Sequence, residues 1–302
     1  MSEPFDVDYA VAVEGGELRV ARAGPPPSEA DAVMLAIHGV ASSHVIWRAV
    51  ARELTRDGRV CVLAPDLRGR GRSVDLPGPY GMAAHVADLV AVLDDAGTER
   101  AVIVGHSLGA YVAAGFGAGH PDRTATVVLL DGGLAIPSYP EAIAGELIDA
   151  MVETALEHSR APFTTVAERI AQWRAHPALI DAWDEDTEAY ARYDVAETAG
   201  ELHAAVSEAA VRADVSDLVR DEVARAAVDR VRSPLVLMRA RQAFDGSLPA
   251  LPQSLIDSFV GTHPKARLEN VPGANHYTLV LGSGPGPRAV AAVVGAAITT
   301  AT

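Results

Sequence analysis

Two hydrophobic patterns alternate along this chain. One is a short run apolar at every position, as in Val33-Met34-Leu35-Ala36-Ile37 and Val127-Val128-Leu129-Leu130; the other is a longer stretch with apolar residues at helical spacing. A strand apolar on both faces belongs inside a sheet covered on both sides, the situation of mostly parallel sheets. The pattern predicts strands over 7–13, 17–21, 32–38, 60–64, 101–104, 126–130, 235–239 and 267–271. It predicts helices over 47–56, 82–96, 108–119, 252–260 and 287–298. Such alternation specifies an α/β fold with a doubly wound, mostly parallel eight-stranded sheet. The first two strands are more polar and are joined by Glu14-Gly15-Gly16, as in an antiparallel hairpin at a sheet edge.

Residues 134–230 break the alternation. They show helical stretches at 140–156, 166–175, 187–196 and 215–228 and no convincing strand. They also carry 20 Asp or Glu against 8 Arg and no Lys, a net of −12 out of −15 for the chain. A composition shift of this kind marks a separate unit with a wet outer face, explained better by solvation than by a cationic substrate. The expected organisation is a core of 1–133 and 231–302 with a helical cap, 134–230, inserted over the C-terminal edge of the sheet. Open α/β sheets bind their ligands at that edge.

Charge and composition narrow the setting. A net charge of −15 argues against nucleic acid or an anionic membrane as partner. No run of about 20 apolar residues lacks charge, as a membrane span requires. The acidic opening, Met1-Ser2-Glu3-Pro4-Phe5-Asp6, does not read as a signal peptide. Cys61 is the single cysteine, which excludes an internal disulfide and fits a reducing compartment. Its strand-like surroundings predict a buried, inert thiol. A cytoplasmic protein is the expectation.

The sharpest chemical signal is Gly105-His106-Ser107-Leu108-Gly109, between the apolar run 101–104 and an apolar helix. A strand-to-helix turn this tight leaves no room beside the serine except for glycine, and it presents the hydroxyl at the top of the sheet. The helix N-terminus adds N–H groups and a positive dipole end where an oxyanion would form. A serine needs a base within hydrogen-bond reach, and an imidazole, titrating near neutrality, suits that work. No His-Glu-x-x-His, Cys/His cluster or phosphate-binding Gly-x-x-x-x-Gly-Lys loop is present, so neither metal nor cofactor is expected.

Together with His38-Gly39-Val40, Pro65-Asp66-Leu67-Arg68-Gly69-Arg70-Gly71-Arg72-Ser73 and Gly273-Ala274-Asn275-His276, this turn resembles the α/β-hydrolase fold superfamily over nearly the whole chain. The resemblance implies Ser107 as nucleophile, His276 as base, and the backbone N–H groups of Val40 and Leu108 as oxyanion hole. It implies orienting roles for His38 and His106 and a structural one for Asp66. Trp47 is expected to pack; Ser43 and His44 remain undecided. Two acids remain open. Ala243 occupies the common acid position, with Asp245 two residues late, whereas Asp131 follows the strand at 126–130, where a minority of the superfamily carries its acid. Asp131 is favoured over Asp245, although Asp-Gly-Gly is also good turn chemistry. The implied activity is hydrolysis of a carboxylic ester or lactone of a mostly apolar small molecule through an acyl-enzyme. Alternatives are carbon–carbon bond hydrolysis on the same framework, or a ligand receptor with an idle triad. Serine at position 107 argues against dehalogenase or epoxide hydrolase chemistry, which uses a carboxylate nucleophile in this fold. Phe163, Trp173, Trp183, Tyr190 and Tyr193 are the cap's aromatic candidates for lining the cavity, though helix packing is the commoner role for each.

Overall fold

The computed structural model describes residues 3–242 and 250–301. The polar first runs form the antiparallel hairpin β1 (Phe5–Val13) and β2 (Gly16–Ala23). The chain then winds through β3 (Ala32–Ile37), α1 (Arg48–Leu54), β4 (Val60–Pro65), α2 (Met82–Asp95), β5 (Ala101–His106), α3 (Leu108–Gly119) and β6 (Thr124–Leu130). After the segment between 131 and 234 come β9 (Leu235–Ala240), α9 (Gln253–Thr262), β10 (Arg267–Val271) and α10 (Pro285–Ala301); that segment contains β7 and β8, given below. The eight-stranded sheet has the order β1-β2-β4-β3-β5-β6-β9-β10, and every pairing from β4 to β10 is parallel.

Alternation along each central strand divides its side chains between two apolar layers. Met34, Ala36, Val62, Val104 and Val128 face α1 and α10 through Trp47, Val50 and Val294. Leu35, Ile37, Leu63, Ile103 and Leu129 face α2, α3 and α9 through Leu89, Phe116 and Phe259. A fully buried side chain of this size contributes about 1.5–3 kcal/mol, so the two layers supply the main drive for the sheet. Cys61 is buried, and burial pushes its thiol pKa up to about 12. Among the described residues, no helix is long and apolar enough to cross a membrane.

Between β6 and β9 lie α4 (Glu141–Leu156), α5 (Val166–Arg174), α6 (Glu185–Tyr193), β7 (Ala196–Thr198), β8 (Glu201–His203), α7 (Glu208–Arg220) and α8 (Glu222–Arg225). Ala144, Ile148, Val152 and Leu156 recur every four residues on α4 and pack against Val211, Val215 and Val219 of α7. Two expectations fail here. Strands β7 and β8 form a small hairpin around Ala199-Gly200, both with positive φ, where no strand was expected. Ala, Glu and Gly have poor strand propensity, so the sequence hides it. The predicted helix 215–228 instead starts at Glu208, capped by Ser207, and breaks at Asp221, whose carboxylate accepts from the Val223 N–H at 2.8 Å.

Candidate active site

The turn after β5 is built by close backbone approach. Ser107 has φ 57° and ψ −119°, a conformation that non-glycine residues rarely adopt. Its N–H donates to the Leu130 carbonyl at 2.9 Å, which ties the turn to the end of β6. A Cβ on Gly105 would lie 2.0 Å from the Gly109 oxygen, and one on Gly109 would lie 2.2 Å from the Ile37 oxygen. Gly132 is equally constrained, since a Cβ there would lie 2.4 Å from the Ser107 carbonyl. The glycine after Asp131 therefore does more than turn the chain: it lets the end of β6 close on the serine.

Because β5 and β6 are neighbours in register, with His106 opposite Leu130, the residues that follow them come side by side. Asp131 is held in the left-handed region at φ 50° and is buried. Its N–H donates to Met238 O at 2.9 Å, and its Oδ1 accepts from the Ala240 N–H at 3.3 Å. Its Oδ2 lies 2.7 Å from Nδ1 of His276, which donates to it. The structure thus joins Asp131 to His276. Asp245 lies outside the described residues.

The loop carrying His276 is pinned on both sides. Asn275 Oδ1 accepts from the N–H groups of Tyr277 and Thr278, and its amide donates to Ala178 O at 2.8 Å. His106 Nε2 donates to the His276 carbonyl at 2.9 Å. That bond fixes the His106 tautomer, and burial, reinforced by His276, holds its pKa well below the ordinary value. His38 accepts from the Leu67 N–H at Nε2 and donates to Gly39 O from Nδ1; burial pushes it down to about 4. Both rings are neutral struts that shape loops. Asp66 is another strut, accepting from the backbone and ring of His44, the Arg72 N–H and the Tyr193 hydroxyl. Trp47 packs in the core, and His44 is engaged by Asp66.

Val40 is gripped from behind by a buried cation. Arg70 donates from Nε to Val40 O at 2.9 Å and from Nη1 to Arg68 O at 3.0 Å, while Nη2 pairs with Asp214 of α7. Asp214 also bonds His85 of α2 at 3.0 Å. Burial opposes ionisation of Asp214, but the charges of Arg70 and His85 outweigh it and hold the carboxyl below its ordinary range. Charged residues read as solvated in a sequence, and Arg70 and Asp214 are 144 positions apart, so no local signal announces this group.

Ser107, Asp131 and His276 share the wall of one cavity of about 250 Å³, with Val40 and Leu108 beside them. Its remaining wall is chiefly aliphatic, with Ile136, Met151, Ala155, Val215, Leu218 and Leu251. None of the five cap aromatics is in it. Tyr190 and Tyr193 instead reach Ser42 and Asp66, and Trp173 donates to Asp194, so these rings bind the segment together and to the sheet. A larger cleft near the starts of β3 and β4, lined by Arg56, Arg59 and Arg288, lies at the other edge of the sheet.

A model described as the alpha/beta hydrolase family matches residues 34–293. Over 136 residues the chain is 38% identical to Lipase LipV of Mycobacterium tuberculosis, covering 45% of this chain and 48% of that protein. Over 134 residues it is 41% identical to Epoxide hydrolase A of the same organism, covering 44% and 39%. The matches span less than half the length of these curated relatives. Among solved structures, E-2-(acetamidomethylene)succinate hydrolase superposes with a TM-score of 0.75 at 22% identity, covering 97% of this chain and 99% of that one. The thioesterase domain from the curacin biosynthetic pathway does so with 0.73 at 19%, covering 95% and 98%. At these identities the structural likeness speaks for the fold alone. The family model runs from β3 into α10 and takes in the strained serine turn, the end of β6 and the His276 loop: the chain belongs to the alpha/beta hydrolase family.

Proposed function

We propose that the chain is a serine hydrolase that cleaves a carboxylic ester or lactone of a small, mostly apolar molecule. The reading is carried by the His276–Asp131 hydrogen bond in the wall of the cavity that also contains Ser107. In the proposed reaction Ser107 Oγ attacks the carbonyl carbon while His276 Nε2 takes its proton, and Asp131 stabilises the imidazolium through Nδ1–H. The negative charge that develops on the carbonyl oxygen is met by the Val40 and Leu108 N–H groups and the N-terminus of α3. His276 then protonates the departing alkoxide, leaving an acyl-Ser107 ester. Water, deprotonated by His276, attacks that ester; the acyl–Oγ bond breaks, His276 returns the proton to Ser107, and the acid is released. Residues 134–230 act as the cap, with 1–133 and 231–302 as core, and α4 and α7 give the cavity its aliphatic wall.

Epoxide hydrolases among the relatives suggest a second chemistry, but ring opening in this fold calls for a carboxylate nucleophile where this chain has Ser107. Steady release of p-nitrophenol from the acetate and butyrate esters, with a phosphonate probe attached to Ser107 by mass spectrometry, is the expected outcome. Undiminished turnover in Ser107→Ala, or no turnover in the wild type, overturns the reading; the second result points to a binding protein.

A further inference from the structure

One polar side chain of the cavity wall has no part in the mechanism above. Tyr111 lies in the first turn of α3, the helix that follows Ser107, and both residues line the same cavity. Helical side chains lean toward the N-terminus, which carries the phenol back over the turn that presents the serine. Its surroundings in the wall are hydrocarbon, including Leu108, Ile136, Met151 and Leu218. The Tyr111 hydroxyl has no hydrogen-bond partner among the described residues, and the residue is half-buried. Burial, aided by Tyr139, pushes its pKa up to about 12, so the group keeps its proton at neutral pH and stands as a donor. A phenol without a protein acceptor in a mostly hydrocarbon wall is left to donate to a bound molecule that supplies one.

We propose that Tyr111 is a specificity-determining residue that donates a hydrogen bond to a second oxygen of the substrate, distinct from the scissile carbonyl. The substrate class is then a short, uncharged ester or lactone carrying an ether, hydroxyl or carbonyl oxygen a few bonds from the ester group. The size of the cavity sets that distance, because Ser107 and Tyr111 line one space of about 250 Å³. No arginine or lysine lines the cavity among the described residues, so a carboxylate is not the group recognised. This inference rests on the ester-hydrolase reading of Ser107 and deepens it.

Isosteric pairs test it. p-Nitrophenyl methoxyacetate and butyrate have the same acyl length and differ by an ether oxygen in place of a methylene. 2-Methoxyethyl acetate and butyl acetate place the same difference on the alcohol side. The ratio of kcat/KM within each pair is measured for the wild type and for Tyr111→Phe; intrinsic reactivity cancels when the two ratios are compared. In at least one pair, the preference for the oxygen-bearing ester falls roughly tenfold in Tyr111→Phe, the worth of one neutral hydrogen bond. Identical ratios in both proteins for both pairs overturn the proposal. If the wild type cleaves none of the four esters, the ester reading itself fails and takes the proposal with it, a result distinct from unchanged ratios. Should Tyr111→Phe not fold, wild-type inhibition decides: methoxyacetone competes several-fold better than 2-pentanone if Tyr111 donates, and equal inhibition overturns it.

Discussion

The two sides of the cavity are held in place by different physics. On the sheet side, Ser107 and Asp131 sit at the ends of adjacent strands, each with a left-handed backbone fixed by a main-chain hydrogen bond to the next strand. Glycines at 105, 109 and 132 allow main-chain approaches that a single methyl group would block. On the other side, the acidic segment is fastened by buried charge. Asp214 of α7 meets Arg70 and His85, and Asp186 of α6 meets Arg48 and Arg52 of α1. Burial raises the cost of ionising Asp186, yet hydrogen bonds from the two arginines keep its carboxyl below its ordinary range. Backbone packing places an atom within tenths of an ångström, whereas ion pairs hold a helix against a sheet while side chains around them vary. The chemistry of the proposed reaction belongs to the first side and the shape of the cavity to the second.

The largest effects should therefore come from the sheet side. Ser107→Ala is expected to lower kcat by several powers of ten with the fold retained by circular dichroism. Asp131→Asn should cost about 10⁴ in rate, the loss known for the equivalent change in another triad. Asparagine tolerates the left-handed backbone that Asp131 adopts, so this substitution tests charge and tautomer with little added strain. Asp245→Asn should leave the rate nearly unchanged. An active Asp131→Asn beside an inactive Asp245→Asn would move the acid to the later strand and break the comparison at its centre.

Breaking the charged fastening should instead be read in stability. Asp214→Ala leaves Arg70 buried without its carboxylate, and removing one partner of a buried pair costs about 3–5 kcal/mol. Denaturant unfolding should show that loss, while the folded fraction keeps a rate far closer to wild type than Asp131→Asn does. A folded Asp214→Ala protein as inactive as Ser107→Ala would show that the cap side carries chemistry too.

The same contrast explains what could be read in the sequence. All eight strands of the large sheet were legible: the central ones because burial on both faces leaves an unbroken apolar run, as at 33–37 and 127–130, and the polar first two from the Gly-Gly turn that joins them. The serine turn was legible because its constraints are local, five residues between a strand and a helix. Placing Asp131 beside His276 needed the order of β6, β9 and β10 in the sheet, which a sequence does not display, so two acids stayed open. The fastening residues were illegible for a plainer reason. Asp186 and Asp214 resemble the solvated acids around them, and only the fold brings arginines from elsewhere in the chain to meet them. The aromatic candidates in residues 134–230 take the commoner role expected of such rings, packing and tethering, and the cavity wall is aliphatic.

Acid should loosen both sides together. His38, at the end of β3, is held down to about 4, and His158, in the segment between α4 and α5, to about 3, chiefly by burial; His158 is lowered further by Arg169. Unfolding frees each to its ordinary value near 6.5, so the unfolded chain binds more protons below that pH. Their contribution is complete above pH 6.5 and is lost as the pH falls toward 4, at about 1.4 kcal/mol per pH unit for each ring. Unfolding free energies measured between pH 7 and 4.5 should fall at least this steeply, since burial also holds His106 and His176 below their ordinary values. His38→Gln should flatten it by close to one proton, and an unchanged slope would mean that the ring is not held neutral.

The smallest expected effect belongs to the cavity wall, and it draws the line between the two sides most finely. Ala155 is half-buried on α4 and lines the cavity with Met151, on a different element from every residue assigned to the chemistry. Ala155→Leu adds three carbons to a cavity of about 250 Å³ without introducing a polar atom or altering the serine turn's own residues. Alanine and leucine are both strong helix formers, so α4 should persist. A methylene that must fit a closed apolar wall is worth about 1–3 kcal/mol in selectivity. The butyrate-to-acetate ratio of kcat/KM for the p-nitrophenyl esters should therefore fall roughly tenfold, with most of the change in KM for butyrate. Turnover of the acetate should stay within a few-fold of wild type, because nothing that touches the reacting atoms has moved. An equal loss on both esters would mean that α4 positions the catalytic groups as well as the substrate, and rate and shape would then not be divided between sheet and cap.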